Sequence, residues 1–120
     1  MILGVGVDAV EISRVQKCCQ REHFVNRVFT AAEVEQFDKR RVRAASDFAA
    51  KEAVVKALGT GFSGCFPGDV EILRDAQGAP FVNLYGGAKE IAEGLGITSI
   101  KISVTNTSDL AVAFAVGSDD

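Results

Sequence analysis

Phe48-Ala-Ala-Lys-Glu-Ala-Val-Val-Lys-Ala-Leu-Gly-Thr-Gly61 is the stretch from which the rest of the chain can be read. Ala, Lys, Glu and Leu are strong helix formers. The run therefore predicts a helix over Phe48–Leu58, with Ser46-Asp47 ahead of it as a cap. Glycine just past the last turn stops it. Inside the helix, Glu52 sits among Ala49, Ala50, Ala53, Val54 and Val55, where a carboxylate needs a partner. Lys56 lies one turn on, on the same face. As a plain surface pair the two are worth about 0.2–0.5 kcal/mol. Gly59-Thr60-Gly61 reads equally as a helix stop and as a loop whose amides approach a phosphate.

On the N-terminal side, Thr30-Ala-Ala-Glu33 is a capping box that opens a helix reaching about Lys39. Val10, Ile12, Val15 and Cys19 fall near helical spacing and predict a helix over residues 10–20. Ile2–Val7 is apolar with glycines at 4 and 6, which predicts a strand closely approached by other backbone, with Asp8 at its end. On the C-terminal side, residues 69–74 and 81–85 alternate polar and apolar around turn-forming residues 75–80, a hairpin. Gly86-Gly87 leads into a helix over Ala88–Leu95, stopped by Gly96. Strands over 99–104 and 110–116 make a second pair, joined by residues 105–109. This order predicts an α+β fold, helices packed on a mainly antiparallel sheet, in a single domain over 1–120.

The chain of 120 residues is 48% hydrophobic and 24% charged, which excludes disordered and collagen-like classes. No apolar run approaches the roughly 20 residues of a membrane helix. The start has no basic segment and meets Asp8, which argues against a signal peptide and for the cytoplasm. The net charge of −3 is uneven: residues 1–60 hold ten Lys/Arg against eight Asp/Glu, and residues 61–120 three against eight. The first half suits an acidic partner, or simply carries more charged helix surface. Net acidity without a basic-aromatic stripe argues against nucleic acid. Cys18, Cys19 and Cys65 have no metal-ligand spacing and read as idle thiols in a reducing compartment. The single histidine, His23, reads as a surface residue. Hard cations such as Mg²⁺ take one or two carboxylates and complete their shell with water and substrate phosphates. If the first strand meets the third helix, Asp8 and Glu52 supply that pair.

Taken in order, Gly4-Val-Gly-Val-Asp8-Ala-Val-Glu-Ile12, Phe29-Thr30 with Glu33, the Phe48–Gly61 run and Ser103-Val-Thr-Asn-Thr107 resemble the holo-acyl-carrier-protein synthase family of 4′-phosphopantetheinyl transferases. The resemblance covers residues 2–117. It implies transfer of the phosphopantetheine arm of coenzyme A to a serine of an acyl carrier protein, with Mg²⁺, in a homotrimer whose sites lie at subunit boundaries. Asp8 and Glu52 match the metal carboxylates, and Glu52 is a candidate base for the serine. Lys56 matches a lysine near the diphosphate. Gly59, Thr60 and Gly61 match the loop beside the nucleotide, and Arg14 the residue that docks an acidic carrier.

Two positions depart from the family pattern. Asp47 stands where an arginine faces the cofactor phosphates, and Asn106, beside Thr107, where a histidine contacts the nucleotide phosphate. Arg40, Arg41 or Arg43 are near enough in sequence to compensate. The alternative reading is a carrier-binding homologue that has lost or changed the transfer.

Overall fold

The structure, a computed structural model, describes residues 1–37 and 41–120 and, of Arg41, the backbone. The elements run β1 (Ile2–Glu11), α1 (Ile12–Cys18), α2 (Glu22–Val28), α3 (Ala31–Phe37), α4 (Arg41–Ala57), β2 (Val70–Arg74), β3 (Pro80–Leu84), α5 (Gly86–Leu95), β4 (Ser99–Asn106) and β5 (Leu110–Ser118). β1, β5 and β4 form one antiparallel sheet in that order, and β2 and β3 a second. The expected α+β arrangement of helices on antiparallel sheets is the one found.

Element ends differ in ways that matter. β1 does not stop at Val7 but pairs with β5 as far as Glu11, opposite Leu110. Nine residues of ladder outweigh the helical spacing that begins at Val10. The first helix accordingly starts at Ile12 and still buries Ile12 and Val15. α2 is a further helix that the sequence reading left out. α4 begins at Arg41, so Ser46 and Asp47 are not its cap; both are buried inside it. The capping box at α3 forms as expected: Thr30 N donates to Glu33 Oε1 at 2.8 Å and Glu33 N to Thr30 Oγ1 at 3.2 Å. The end expected for that helix, Lys39, lies outside the described residues, as does Arg40.

α4 crosses the inner face of the three-stranded sheet on small residues. Ala49, Ala50, Ala53 and Ala57 are buried against Ala111, Ala113 and Ala115 of β5. The glycines of β1 explain how close the two come. A Cβ on Gly4 would run into the carbonyl oxygen of Ala57, and one on Gly6 into that of Ala53. The other face of the sheet is apolar and open: Val5 is 56% exposed, Val7 54% and Phe114 45%.

The second sheet lies beside α3 and α4, and side chains close the free edge of β2. Lys51 Nζ donates to Val70 O at 2.6 Å, and Ile72 N donates to Glu33 Oε2 at 2.9 Å. The Gln36 amide then pairs with both backbone groups of Arg74, at 2.8 and 3.1 Å. Three helical side chains thus satisfy ladder groups that a neighbouring strand would otherwise take.

Candidate active site

Asp8 does not end its strand; it lies in mid-strand, facing α4. The register fixes this direction, because Gly4, Gly6 and Asp8 share one face of β1. Glu52 and Lys56, one turn apart on α4, come opposite it. Lys56 Nζ donates to Asp8 Oδ1 at 2.9 Å and to the carbonyl of Val7 at 3.1 Å. Burial pushes the Glu52 carboxyl above its usual range and Asp8 pushes it further, while Lys56 pulls it down. Two carboxylates and one ammonium therefore share a small volume.

Asp8 and Glu52 open on a cleft of about 620 Å³. Arg14, Cys18, Phe24 and Phe48 help to line it. The sequence reading missed the two phenylalanines as site residues. Phe48 stood in its quoted run as a helix start, and Phe24 lies on the overlooked α2. Their ring centroids are 6.2 Å apart, giving the charged end of the cleft an apolar wall. Arg14 is exposed on α1 at the rim. His23 is exposed, as expected; Cys18 is half-buried, and Cys19 and Cys65 are buried.

The remaining site candidates do not gather here. Gly59 N bonds Lys56 O at 3.0 Å, and Thr60 N and Gly61 N both bond Val55 O at 3.3 Å. Gly59 and Gly61 take φ of 79° and 58°, the left-handed values that favour glycine. The loop stops the helix, with these three amides bonded to its last turn. Thr107 Oγ1 accepts from Asp109 N at 3.2 Å and Leu110 N at 3.0 Å, holding the β4–β5 turn. Asn106 is exposed and sits in the row of Ala111 and Val10. The glycine loop follows Ala57, which packs on Gly4. Six residues of β1 separate those rows, about 20 Å at the rise of a strand. In one chain, Asn106 and the glycine loop lie toward opposite ends of the sheet, with Asp8 between them.

Asp47 behaves otherwise than a cofactor-facing aspartate. It is fully buried, its Oδ1 accepts from Arg74 Nη1, and its Oδ2 has no hydrogen-bond partner. Burial pushes its carboxyl up to about 6 despite Arg74. The Asp47 charge is thus answered by Arg74 inside the protein. Arg43, on α4, is half-buried.

Among the described residues no three His, Cys, Asp or Glu side chains gather to hold a metal. Asp8 and Glu52 are a two-carboxylate donor set, which fits an ion that draws its remaining ligands from water and substrate phosphates.

Comparison with known proteins agrees with this geometry. The model of the 4′-phosphopantetheinyl transferase superfamily matches residues 4–115. The chain belongs to that superfamily. A holo-[acyl-carrier-protein] synthase of Lachnoclostridium phytofermentans is 44% identical over 117 residues, covering 98% of this chain and 96% of the relative. The crystal structure of the Neisseria meningitidis synthase superposes with a TM-score of 0.88 at 31% identity, covering 98% of this chain and 99% of that one. The Helicobacter pylori synthase, solved in complex with coenzyme A, gives a TM-score of 0.86 at 30% identity, covering 95% and 99%. The protein is thus a phosphopantetheinyl transferase of the holo-acyl-carrier-protein synthase type. No described helix of this transferase is long and apolar enough to cross a membrane.

Proposed function

We propose that this transferase moves the 4′-phosphopantetheine arm of coenzyme A to a serine of an apo acyl carrier protein. The observation that carries the reading is the meeting of Asp8, Glu52 and Lys56 across the β1–α4 contact. The serine Oγ forms a bond to the phosphorus that bears pantetheine, and the bond from that phosphorus to the bridging oxygen breaks. Adenosine 3′,5′-bisphosphate leaves with the bridging oxygen. Asp8 and Glu52 would hold Mg²⁺, which when bound supplies positive charge for the diphosphate oxygens. Glu52 is the candidate to accept the serine proton. Lys56 offers its ammonium to the departing phosphate. Arg14, exposed at the rim, suits the acidic surface of a carrier. Phe24 and Phe48 leave an apolar wall beside it.

The apolar outer face of the sheet supports self-association, and family resemblance supports three copies. So does the spread of the nucleotide-end candidates. Asn106 and Thr107 of one copy and Gly59–Gly61 of another meet one ligand more readily than the two groups of a single chain. The reaction belongs to fatty-acid or polyketide assembly in the cytoplasm. The alternative of a carrier-binding homologue without transfer is weakened, because Asp47 faces Arg74.

The test is a mass measurement. Apo carrier protein incubated with coenzyme A, Mg²⁺ and the enzyme gains the phosphopantetheine mass, and Glu52→Gln removes the gain. An unmodified carrier at millimolar coenzyme A overturns the reading. Light scattering then checks the trimer.

A further inference from the structure

The ammonium of Lys56 rests on Asp8, one of the two carboxylates that a divalent cation would use. Its two bonds, 2.9 Å to Asp8 Oδ1 and 3.1 Å to Val7 O, use two of its three protons. The side chain arrives from solvent, 51% exposed, over an Asp8 that is 18% exposed. Nothing encloses it. On the other flank of α4, Lys51 is 0% exposed and spends its three protons on Glu33 Oε1, Pro67 O and Val70 O. Lys51 has no route out, whereas Lys56 can swing away by bond rotation alone. Arg14 is the cationic side chain that lines the cleft among the described residues, but Lys56 is the one in contact with Asp8.

We propose that Lys56 is a resident counter-ion that covers Asp8 until a diphosphate draws it off, so that metal and coenzyme A bind cooperatively by exchange of one cation for another. The inference rests on the metal assignment made above. An ammonium resting on Asp8 opposes a divalent cation arriving at the same carboxylate, since like charges that close repel by several kcal/mol even at intermediate dielectric. A diphosphate beside the site gives Lys56 a second anion. Its move to that anion exposes Asp8 at the moment the phosphate oxygens become available as further ligands. The same side chain then serves both states, as lid on the carboxylate and as partner of the phosphate. By linkage, whatever coenzyme A adds to metal affinity, metal adds equally to coenzyme A affinity.

The test uses Mn²⁺ as the probe, followed by the paramagnetic resonance signal of the free ion, with and without coenzyme A. Lys56→Met binds Mn²⁺ alone about tenfold more tightly than the natural chain, roughly the effect of 1.4 kcal/mol. The increment that coenzyme A adds to Mn²⁺ affinity shrinks correspondingly. Mn²⁺ affinity equal to or weaker than that of the natural chain overturns the proposal. So does tighter binding with the coenzyme A increment intact, which marks Lys56 as a neighbouring charge rather than an exchanging one.

A second measurement needs no variant. In the natural chain carrying isotopically labelled lysine, the Lys56 side-chain resonance shifts when Mg²⁺ and coenzyme A are added together, and a resonance that stays put overturns the exchange. Both readouts are independent of turnover. A chain that fails to modify its carrier yet shows this coupling refutes the transferase reading alone. One that modifies it without the coupling refutes the exchange alone.

Discussion

Two lysine–carboxylate clusters flank α4, seeded by neighbouring residues of the sequence, Lys51 and Glu52. Every proton of the Lys51 ammonium and both oxygens of Glu33 are answered. Glu33 takes bonds from Lys51, Thr30 and Ile72, and neither Lys51 nor Glu33 is exposed. Around Glu52 the balance is incomplete, with two carboxylates to one half-exposed ammonium. A closed set of bonds in low dielectric holds elements together. An open set, with charge left over, is available to something that arrives from outside. The difference separates structure from chemistry on one helix.

Substitutions can break that contrast in either cluster. The largest effect is on turnover: Glu52→Gln lowers transfer by about 10²–10⁴-fold, the range of a lost general base, and any lost metal affinity adds to it. The same variant unfolds no earlier than the natural chain, because folding raises the Glu52 pKa and so disfavours its charge. Thermal melts at pH 7 check this, and a lower melting point would place Glu52 with the structural cluster. Lys51→Met acts in the opposite sense. Breaking a buried pair costs about 3–5 kcal/mol, read as a lower denaturant midpoint, while the folded fraction keeps its specific activity. Joint replacement of Lys51 and Glu33 by apolar residues recovers part of that loss.

A smaller effect sharpens the comparison by pH. Asp47 rises from 3.8 to about 6 in the folded chain. The folded state therefore holds that proton more tightly than the unfolded one, and stability falls as pH rises from about 4 to about 6 and stays lower above it. The shift corresponds to about 3 kcal/mol at most. Asp47→Asn removes this fall, seen as a flatter curve of melting temperature against pH over that window. The smallest effect belongs to Lys56→Ala, whose melting temperature stays close to that of the natural chain, as expected of an exposed pair, although Lys56 stands in the open cluster.

How legible these clusters were in the sequence follows from what each depends on. Glu52 and Lys56 announced themselves by helical spacing, and Asp8 by its place after glycines on an apolar strand. Those signals are local, and their convergence required only that β1 meet α4. Lys51 stood in the same run without comment, because its partners lie at residues 33, 67 and 70 and only the folded chain brings them near. Asp47 was misread for the same reason: adjacency suggested a cap, while Arg74, 27 residues on, decided its role. β1 outran its local pattern because β5 was there to pair with it. The glycine loop stops the helix as its glycines predicted, a local signal that needed no distant partner.

The glycines of β1 have a consequence for how the site tolerates change. A new side chain that meets another side chain can be accommodated by rotation about a bond. One added at Gly4 or Gly6 would meet the carbonyl of a helix, which has no rotamer to choose, so the whole helix must move. Asp8 is on the strand and Glu52 and Lys56 are on the helix, so that movement changes the gap between them directly. The spacing of the reactive groups is thus written in two positions that carry no chemistry, and drift there reaches the chemistry without touching a reactive atom.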